Sequence, residues 1–574
     1  MRFPKVLLSL YFVFCLSLAA SAATFTVTKI ADTNDGACDA ADCSLREAIA
    51  AANAGADNDT VLFGEIFALA PQTIILSGTD LQINNNGTLT ITGPMNRALT
   101  VSGNNQSRIF TNNTGAVTTI TNLRLTGGNG VSTVQSGRGG GVYNNGGTLS
   151  LLFMTIEGNS AANGGGFNNA GTGSVMRVEF SAVSNNTATG AGGAMQNFST
   201  STLHLYNTTV NGNTCNSTLT GGGGIQANGT LTMSNVTFSG NNAAGGDGGA
   251  IYYNGSGLTM NNVTVAGNTA TGGGAGGLHK STSTLNANVR NSIFANNTGS
   301  ASPDVSGAIS SQGNNIIRTV GASTGWIMSD LQNVDPLLAP LGYYGGVTNN
   351  PRFYTHALLN TSPAVNAGNN CVTDLTCGTA NPPSALNNDA RGAARVGGVD
   401  IGAYEINNSY TAILPNAALN QPYNFILSPN TGGFNYTYSG STPQGLLLDN
   451  TLTTATFSGS LMPVGTYNFN VHNSTNTFSL NYSLTVVANL SSVSVAGRFV
   501  TAAGAGIPNA IVSITANSTN VTRFARTNGF GYFRFDDVPN NQGYTVNVVS
   551  KQYQFQPVEI TVTDNVTNLV LTAQ

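Results

Sequence analysis

Charge is scarce in this sequence. Lys, Arg, Asp and Glu together make up 8% of 574 residues, against roughly 25% in ordinary soluble domains. Only four of the 20 basic residues are lysine and the net charge is −4. No electrostatic footprint for nucleic acid is present. A coiled coil, which needs charged flanking positions, is excluded on the same ground. Beyond the first 22 residues no apolar run reaches the ~20 residues that a spanning helix needs. Hydrophobic residues are a normal 40%, so the low charge does not signal disorder. What is abundant is glycine, with 71 residues. They follow no three-residue period, which excludes a collagen. A β-rich, turn-rich chain remains, of about four domains by length.

The first segment reads as an export signal. Arg2 and Lys5 precede an apolar run from Val6 to Ala20, and Ala20-Ser21-Ala22 supplies a small-residue cleavage pattern. Cys15 lies inside the apolar run rather than after a small-residue lipobox, so a lipoprotein anchor is not expected. The mature chain keeps Cys38, Cys43, Cys215, Cys371 and Cys377. In an exported protein the two close pairs predict Cys38–Cys43 and Cys371–Cys377 disulfides. Zinc is the rival reading, but neither pair has a neighbouring histidine or a finger spacing. Cys215 sits in a Ser/Thr/Gly-rich insertion and is expected as a surface thiol.

From about Val117 to Gly299 the sequence repeats with a period near 27 residues. An apolar column runs Ile156, Val183, Val210, Phe238, Val265 and Phe294. Asparagine follows three residues later each time, at Asn159, Asn186, Asn213, Asn241, Asn268 and Asn297. Only Gly or Asn precedes these asparagines, the two residue types that tolerate a left-handed backbone. A second apolar column is Val142, Phe167, Ala194, Ile225, Ile251 and Leu278, each after Gly-Gly or a close variant. Asn207, Asn235, Asn262 and Asn291 form a third column. Short alternating runs between Gly/Asn turns predict strands. One such coil cannot bury its apolar face alone, but stacked coils can. The aligned asparagines are expected to hydrogen-bond from rung to rung. A leucine-rich repeat fails for want of its helical half, and a propeller blade needs a longer period.

Open sheet ends of a solenoid need caps. Ser44-Leu-Arg-Glu47 is a capping box opening a helical run from Ser44 to Asn53. The block Cys38-Asp-Ala-Ala-Asp-Cys43-Ser-Leu-Arg-Glu-Ala-Ile49 resembles the signature of CSLREA-domain exported bacterial proteins. That resemblance covers residues 24–53 and implies a right-handed parallel β-helix of the pectin-lyase type. Asp335-Pro-Leu-Leu, Ser362-Pro-Ala-Val-Asn366 and Asp389-Ala-Arg391-Gly through Glu405 resemble the choice-of-anchor region that closes such helices. That family's sorting signal is not expected at Leu569–Gln574. Leu414-Pro415, Gln421-Pro-Tyr423, Pro443-Gln-Gly445 and Gly465-Thr-Tyr467 resemble a bacterial Ig-like, cadherin-like domain. Val495-Ala-Gly497-Arg, Gly506-Ile-Pro508 and Thr527-Asn-Gly529 through Pro539 resemble the transthyretin-like, carboxypeptidase regulatory-like module. Its Asn528-Gly529 pair is a hairpin signal in its own right.

The expected architecture is therefore all-β: a right-handed parallel β-helix with an N-terminal helical cap, then two small β-sandwiches. The expected divisions are a signal peptide over 1–22, the CSLREA motif and cap over 23–60, and repeats over 61–300. The closing choice-of-anchor-like part follows over 301–408, the Ig-like domain over 409–488 and the regulatory-like domain over 489–574.

Enzymes occur on pectin-lyase-type scaffolds, so catalysis needs a test. Glycoside hydrolysis normally needs paired carboxylates about 5–9.5 Å apart. Between Leu81 and Ser300 the only acids are Glu157, Glu179 and Asp247, in three different columns of the repeat. The same scarcity argues against a calcium-dependent lyase site there. A metal-free lyase base would have to come from Tyr143, Tyr252, His279 or Lys280. Tyr143, Tyr252 and His279 fall in one column, one residue past the inward apolar position. Alternation should turn them outward, as a ligand platform for sugar rings. Asp32, Asn34 and Asp39, in the acidic stretch before the cap, are the calcium candidates; no other cofactor is expected. The reading is a non-catalytic, secreted or bacterial cell-surface β-helix for adhesion or carbohydrate binding. Its expected partner is a carbohydrate polymer or a cell-surface component. The competing reading is a polysaccharide lyase or glycoside hydrolase on the same scaffold.

Overall fold

The computed structural model describes residues 22–574 except 56, 70, 85–86, 96–98, 219–220, 256, 282–286, 301, 347–352, 452, 488–491, 518–521, 541, 551–552, 554 and 574. The leader expected over 1–22 lies, up to residue 21, outside the described residues. The chain is nearly all β, with a solenoid of about eight turns followed by smaller sheets. Among the described residues no helix is long and apolar enough to cross a membrane.

Each solenoid turn follows one local recipe. A strand such as Thr148–Leu152 enters a 20-stranded sheet, and a residue with positive φ kinks the chain into a second short run such as Thr155–Glu157. Asn207, Asn235, Asn262 and Asn291 hold this kink, with φ between 44° and 54°. A second left-handed residue, Gly158 or its equivalents, then turns the chain into a five-stranded sheet. Paired small residues lead from there into a nine-stranded sheet. The small size is obligatory at that corner. A Cβ on Gly223 would meet the carbonyl oxygen of Gly249, one rung on, at 2.3 Å.

All rungs pair in parallel, and the register reproduces the predicted first column. Ile156 pairs with Val183, then Val210, Phe238, Val265 and Phe294 follow in turn. These side chains are fully buried. The second column needs one correction. Met195, not Ala194, pairs with Phe167 and Ile225. Ala194 replaces the second glycine of the corner, as Ala250 does before Ile251.

The asparagine ladder is continuous. Side-chain amides link Asn159 to Asn186, Asn213, Asn241, Asn268 and Asn297 at 2.8–3.0 Å per step. Asp304 closes it by accepting from Asn297 at 2.8 Å. A second buried ladder joins Asn112, Asn144, Asn169 and Asn197. Cys215 is a correction of a different kind: the free thiol is buried, not on the surface. It pairs with Ala188 and Ala243 in a column of small side chains on the five-stranded sheet, and alternation turns it inward.

Both ends of the solenoid are closed. The N-terminal helix Leu45–Ala52 is capped by Ser44, with the reciprocal Glu47 bond in place. Its buried face packs Leu45, Ala48 and Ile49 on the first rungs. Disulfides join Cys38 to Cys43 beside this cap, and Cys371 to Cys377 in the segment after the repeats. Trp326 packs against Phe294 at the other end. Burial works to raise the Glu47 carboxyl, but the N–H groups of Ser44 and Asp35 overcome it and hold it at about 2. The sign follows from linkage. Glu47 stabilises the cap fully above its ordinary value of 4.5, and this is lost as pH falls through about 2. The thermal midpoint should therefore drop on acidification across that window. In Glu47→Gln it should start lower and respond less; an identical pH profile would contradict this account of the cap.

After the solenoid the chain pairs Leu338–Gly342 with Thr355–Leu358 and runs back along the solenoid flank. Asn235, Asn262 and Asn291 donate to the carbonyls of Asn388, Asp400 and Asn369. The kink asparagines thus serve as a docking strip for this segment. Next come a five- and a three-stranded sheet over Thr411–Val487, then a three- and a four-stranded sheet over Ser492–Thr572. One hydrophobic core spans Ile293 and Ile316 of the solenoid, Tyr343 and Tyr344 of the returning segment, and Phe457 and Tyr482 of the first smaller unit.

Candidate functional site

The predicted column exists in register. Asn168, Gln196, Gln226, Tyr252, His279 and Ser306 follow one another along the nine-stranded sheet, with Tyr143 one rung before Asn168. Only Tyr252 and His279 are neighbours. Their rings stack with centroids 5.4 Å apart and planes 8° apart. Three amide rungs separate them from Tyr143.

Tyr143 departs from the expected outward platform: it is 1% exposed. The cause is an insertion that no repeat pattern announces. Arg108, itself fully buried, lays its guanidinium 4.8 Å from the Tyr143 ring centroid. It also donates to the carbonyls of Val134, Gln135, Arg138 and Gly139, pulling that insertion over the column. Burial lowers the Arg108 guanidinium to about 10, against the opposing pull of Asp80.

From Gln196 to Ser306 the strip is also largely covered: Gln196, Gln226, Tyr252 and Ser306 are buried, Tyr252 at 8% exposure against the expected outward platform, and His279 alone is partly exposed. His279 Nδ1 lies 2.8 Å from the Ser306 hydroxyl. Burial pushes the His279 imidazole below its ordinary value, with Asp247 opposing, so it is neutral near pH 7. Burial and then the Asp247 charge raise the Tyr252 phenol. The Oε1 of Gln226 is buried without a hydrogen-bond partner. Stacking occupies one face of each ring, so the strip offers amide, hydroxyl and imidazole groups more than flat ring faces. Lys280 does not join it. It stands in register with Tyr253, on the opposite side of the strand from His279.

The acids stay apart. Glu157 pairs with Arg124 at 2.5 Å, and Glu179 pairs with Arg177. Asp247 accepts from the Gly273 N–H at 2.8 Å. The calcium candidates do not converge either. Asp32 is held by Arg46 and Ser77, Asp39 accepts from the Ala41 and Asp42 N–H groups, and Asn34 is exposed. Among the described residues of this stretch, the acids that do meet are Asp35, Asp42 and Glu47, and the Lys29 ammonium bridges all three. With a cation already supplied by the chain, this donor set does not fit calcium.

Residues 494–574 match the carboxypeptidase regulatory-like domain. No curated protein is significantly similar to the chain. Among solved structures, the chain resembles the major pilin subunit BcpA of Bacillus cereus at 10% identity and a TM-score of 0.15, over 28% of this chain and 67% of that one. It also resembles the TIE protein of Bacillus anthracis at 12% identity and 0.17, over 28% and 39%. An endo-fucoidan hydrolase of glycoside hydrolase family 107 aligns at 17% identity and 0.13, over 26% and 33%. At these scores the likenesses carry no functional argument.

Proposed function

We propose that this chain is a non-catalytic extracellular protein, secreted or held at the bacterial cell surface, that binds carbohydrate along its solenoid. The observation that carries this is the stacked Tyr252–His279 pair, with the partly exposed His279 ring as its accessible point and the polar groups of Gln226 and Ser306 in the adjoining rungs. The separation of the solenoid acids Glu157, Glu179 and Asp247 argues against paired-carboxylate hydrolysis on the strip. The leader pattern and two disulfides fit an oxidising compartment. The resemblance of residues 24–53 to CSLREA-domain proteins, and of 301–408 to choice-of-anchor regions, fits export. The Ig-like and carboxypeptidase regulatory-like modules then act as spacers or accessory binders.

One observation favours the competing lyase reading: a neutral imidazole at His279 stacked on Tyr252, the arrangement a metal-free base would use. Retention on immobilised polysaccharide separates the strip from a bystander surface. Losing one ring of the pair removes about 0.5–1.5 kcal/mol of contact. Tyr252→Ala should therefore bind a retained polymer roughly two- to twelve-fold more weakly. Unchanged retention in Tyr252→Ala and His279→Ala would remove the strip from the account.

A further inference from the structure

A cleft of about 850 Å³ opens between the solenoid and the first of the smaller β units. Its solenoid wall is the turn that precedes the long asparagine ladder. Gly212, Gly240 and Gly267 line it with φ of 64°, 62° and 69°, flanked by Asn185 and Asn296 at 54° and 59°. Gly240 and Gly267 form a floor of bare backbone, while the Asn185 side chain lies over Gly212, 2.6 Å from where a Cβ would stand. A Cβ at Gly267 would meet no atom within 4 Å, and one at Gly240 only the Gly212 nitrogen at 4.0 Å. The opposite wall is apolar in part, with Leu338, Leu341 and Phe434, and carries the amide of Asn430. The buried Oδ1 of Asn211, another lining residue, has no hydrogen-bond partner.

None of the described lining residues bears a carboxylate, ammonium or guanidinium. The one titratable group is His356. Its Nδ1 lies 2.8 Å from the Ala339 carbonyl and its Nε2 lies 2.9 Å from the Ser239 hydroxyl. A carbonyl only accepts, so Nδ1 carries the proton and Nε2 accepts from Ser239. Burial lowers this imidazole to about 4, which keeps the cleft uncharged at neutral pH.

We propose that this cleft is a binding site for an uncharged oligosaccharide. A sugar ring rests on the glycine floor, its hydroxyls meet the amides of Asn185, Asn211, Asn296 and Asn430, and its C–H face meets Phe434. Amides pair a donor with an acceptor, which suits adjacent hydroxyls. A floor with few side chains admits a broad, flat ligand, and the nearest cation, Arg318, which donates to Asn296, is already paired with Asp335 at 3.1 Å and so leaves a uronate no free partner. The inference rests on the carbohydrate-binding reading above, but not on the Tyr252 strip.

The test uses the full chain and a panel of cello-, malto-, manno- and xylo-hexaose with oligogalacturonate as the acidic probe, read by calorimetry. The informative variant is Gly240→Asn with Gly267→Asn. Asparagine already holds this turn at 185 and 296, so the fold tolerates it while two side chains fill the floor. At least one neutral hexaose should bind, and the double variant should weaken it ten-fold or more with its thermal midpoint unchanged. Phe434→Ala attacks the opposite wall and should weaken the same sugar, which keeps the test open if the double variant folds poorly. Neutral-sugar binding undiminished in these variants overturns the proposal, as does binding of oligogalacturonate alone. Loss in Tyr252→Ala only would overturn the cleft and keep the strip; failure of every sugar and polymer to bind would overturn both.

Discussion

Arg391→Met should destabilise the chain by about 3–5 kcal/mol, the usual cost of removing one partner from a buried ion pair. Arg391 is fully buried and meets Asp389 at 2.7 Å. It also donates to the carbonyls of Tyr344 and Glu405 at 3.1 and 2.6 Å, and its guanidinium lies 3.7 Å from the Tyr404 ring centroid. Asp400 and Glu405 lie in the same neighbourhood with a second cation, Arg395, which pairs with Glu405 at 2.8 Å. Losing Arg391 leaves three carboxylates facing one cation. The effect should reach past the site, because Tyr344 hydrogen-bonds Tyr436 of the next β unit at 2.7 Å. Urea unfolding should show the solenoid and this unit parting into separate transitions. Arg391→Lys should recover little, since an ammonium cannot reproduce the planar, multi-donor contact. A variant that unfolds with the parent midpoint and slope would refute this role for the network.

Asn213→Ala should be the other severe substitution. The Asn213 side chain accepts from the Asn186 backbone and amide at 2.9 and 3.0 Å, and donates to Val183, Asn211 and Asn241. Alanine orphans at least two buried groups, at about 1–3 kcal/mol each. The expected loss is therefore about 2–6 kcal/mol. Exposed Asn216, three residues on, should tolerate alanine within about 0.5 kcal/mol. Hydrogen exchange on Asn213→Ala should show amides of the neighbouring rungs, Asn186 and Asn241, opening before those near the helical cap. Uniform protection along the solenoid would mean that the ladder is incidental to stability.

The solenoid was legible because stacking imposes period and residue type together. A position that must be left-handed admits Gly or Asn, and a position beside its own copy must match that copy, so Asn159 through Asn297 announced themselves. The slip from Met195 to Ala194 arose where alanine stands in for glycine at the corner. Cys215 misled because its flanks are polar, while its own column, Ala188 and Ala243, decides its direction. What lay outside the repeat was not legible. Arg108 and the insertion it folds over Tyr143 lie more than twenty residues apart, without a shared period. The core joining Tyr343 and Tyr344 to Tyr436 and Tyr482 depends on contacts between segments with no common pattern. The same holds for the cleft, whose walls come from the repeat at Gly240 and from the loop at Phe434. Of the candidate strip, the sequence marked Tyr252 and His279, and register alone added Gln196, Gln226 and Ser306.

The most direct test of the central claim is to incubate the purified full chain with acidic and neutral polysaccharides. Retention on each immobilised polymer is recorded alongside reducing ends and absorbance from unsaturated ends. The account predicts retention on at least one polymer with no new ends formed. New ends that disappear in His279→Ala or Tyr252→Ala would contradict it and make this chain a lyase or a hydrolase.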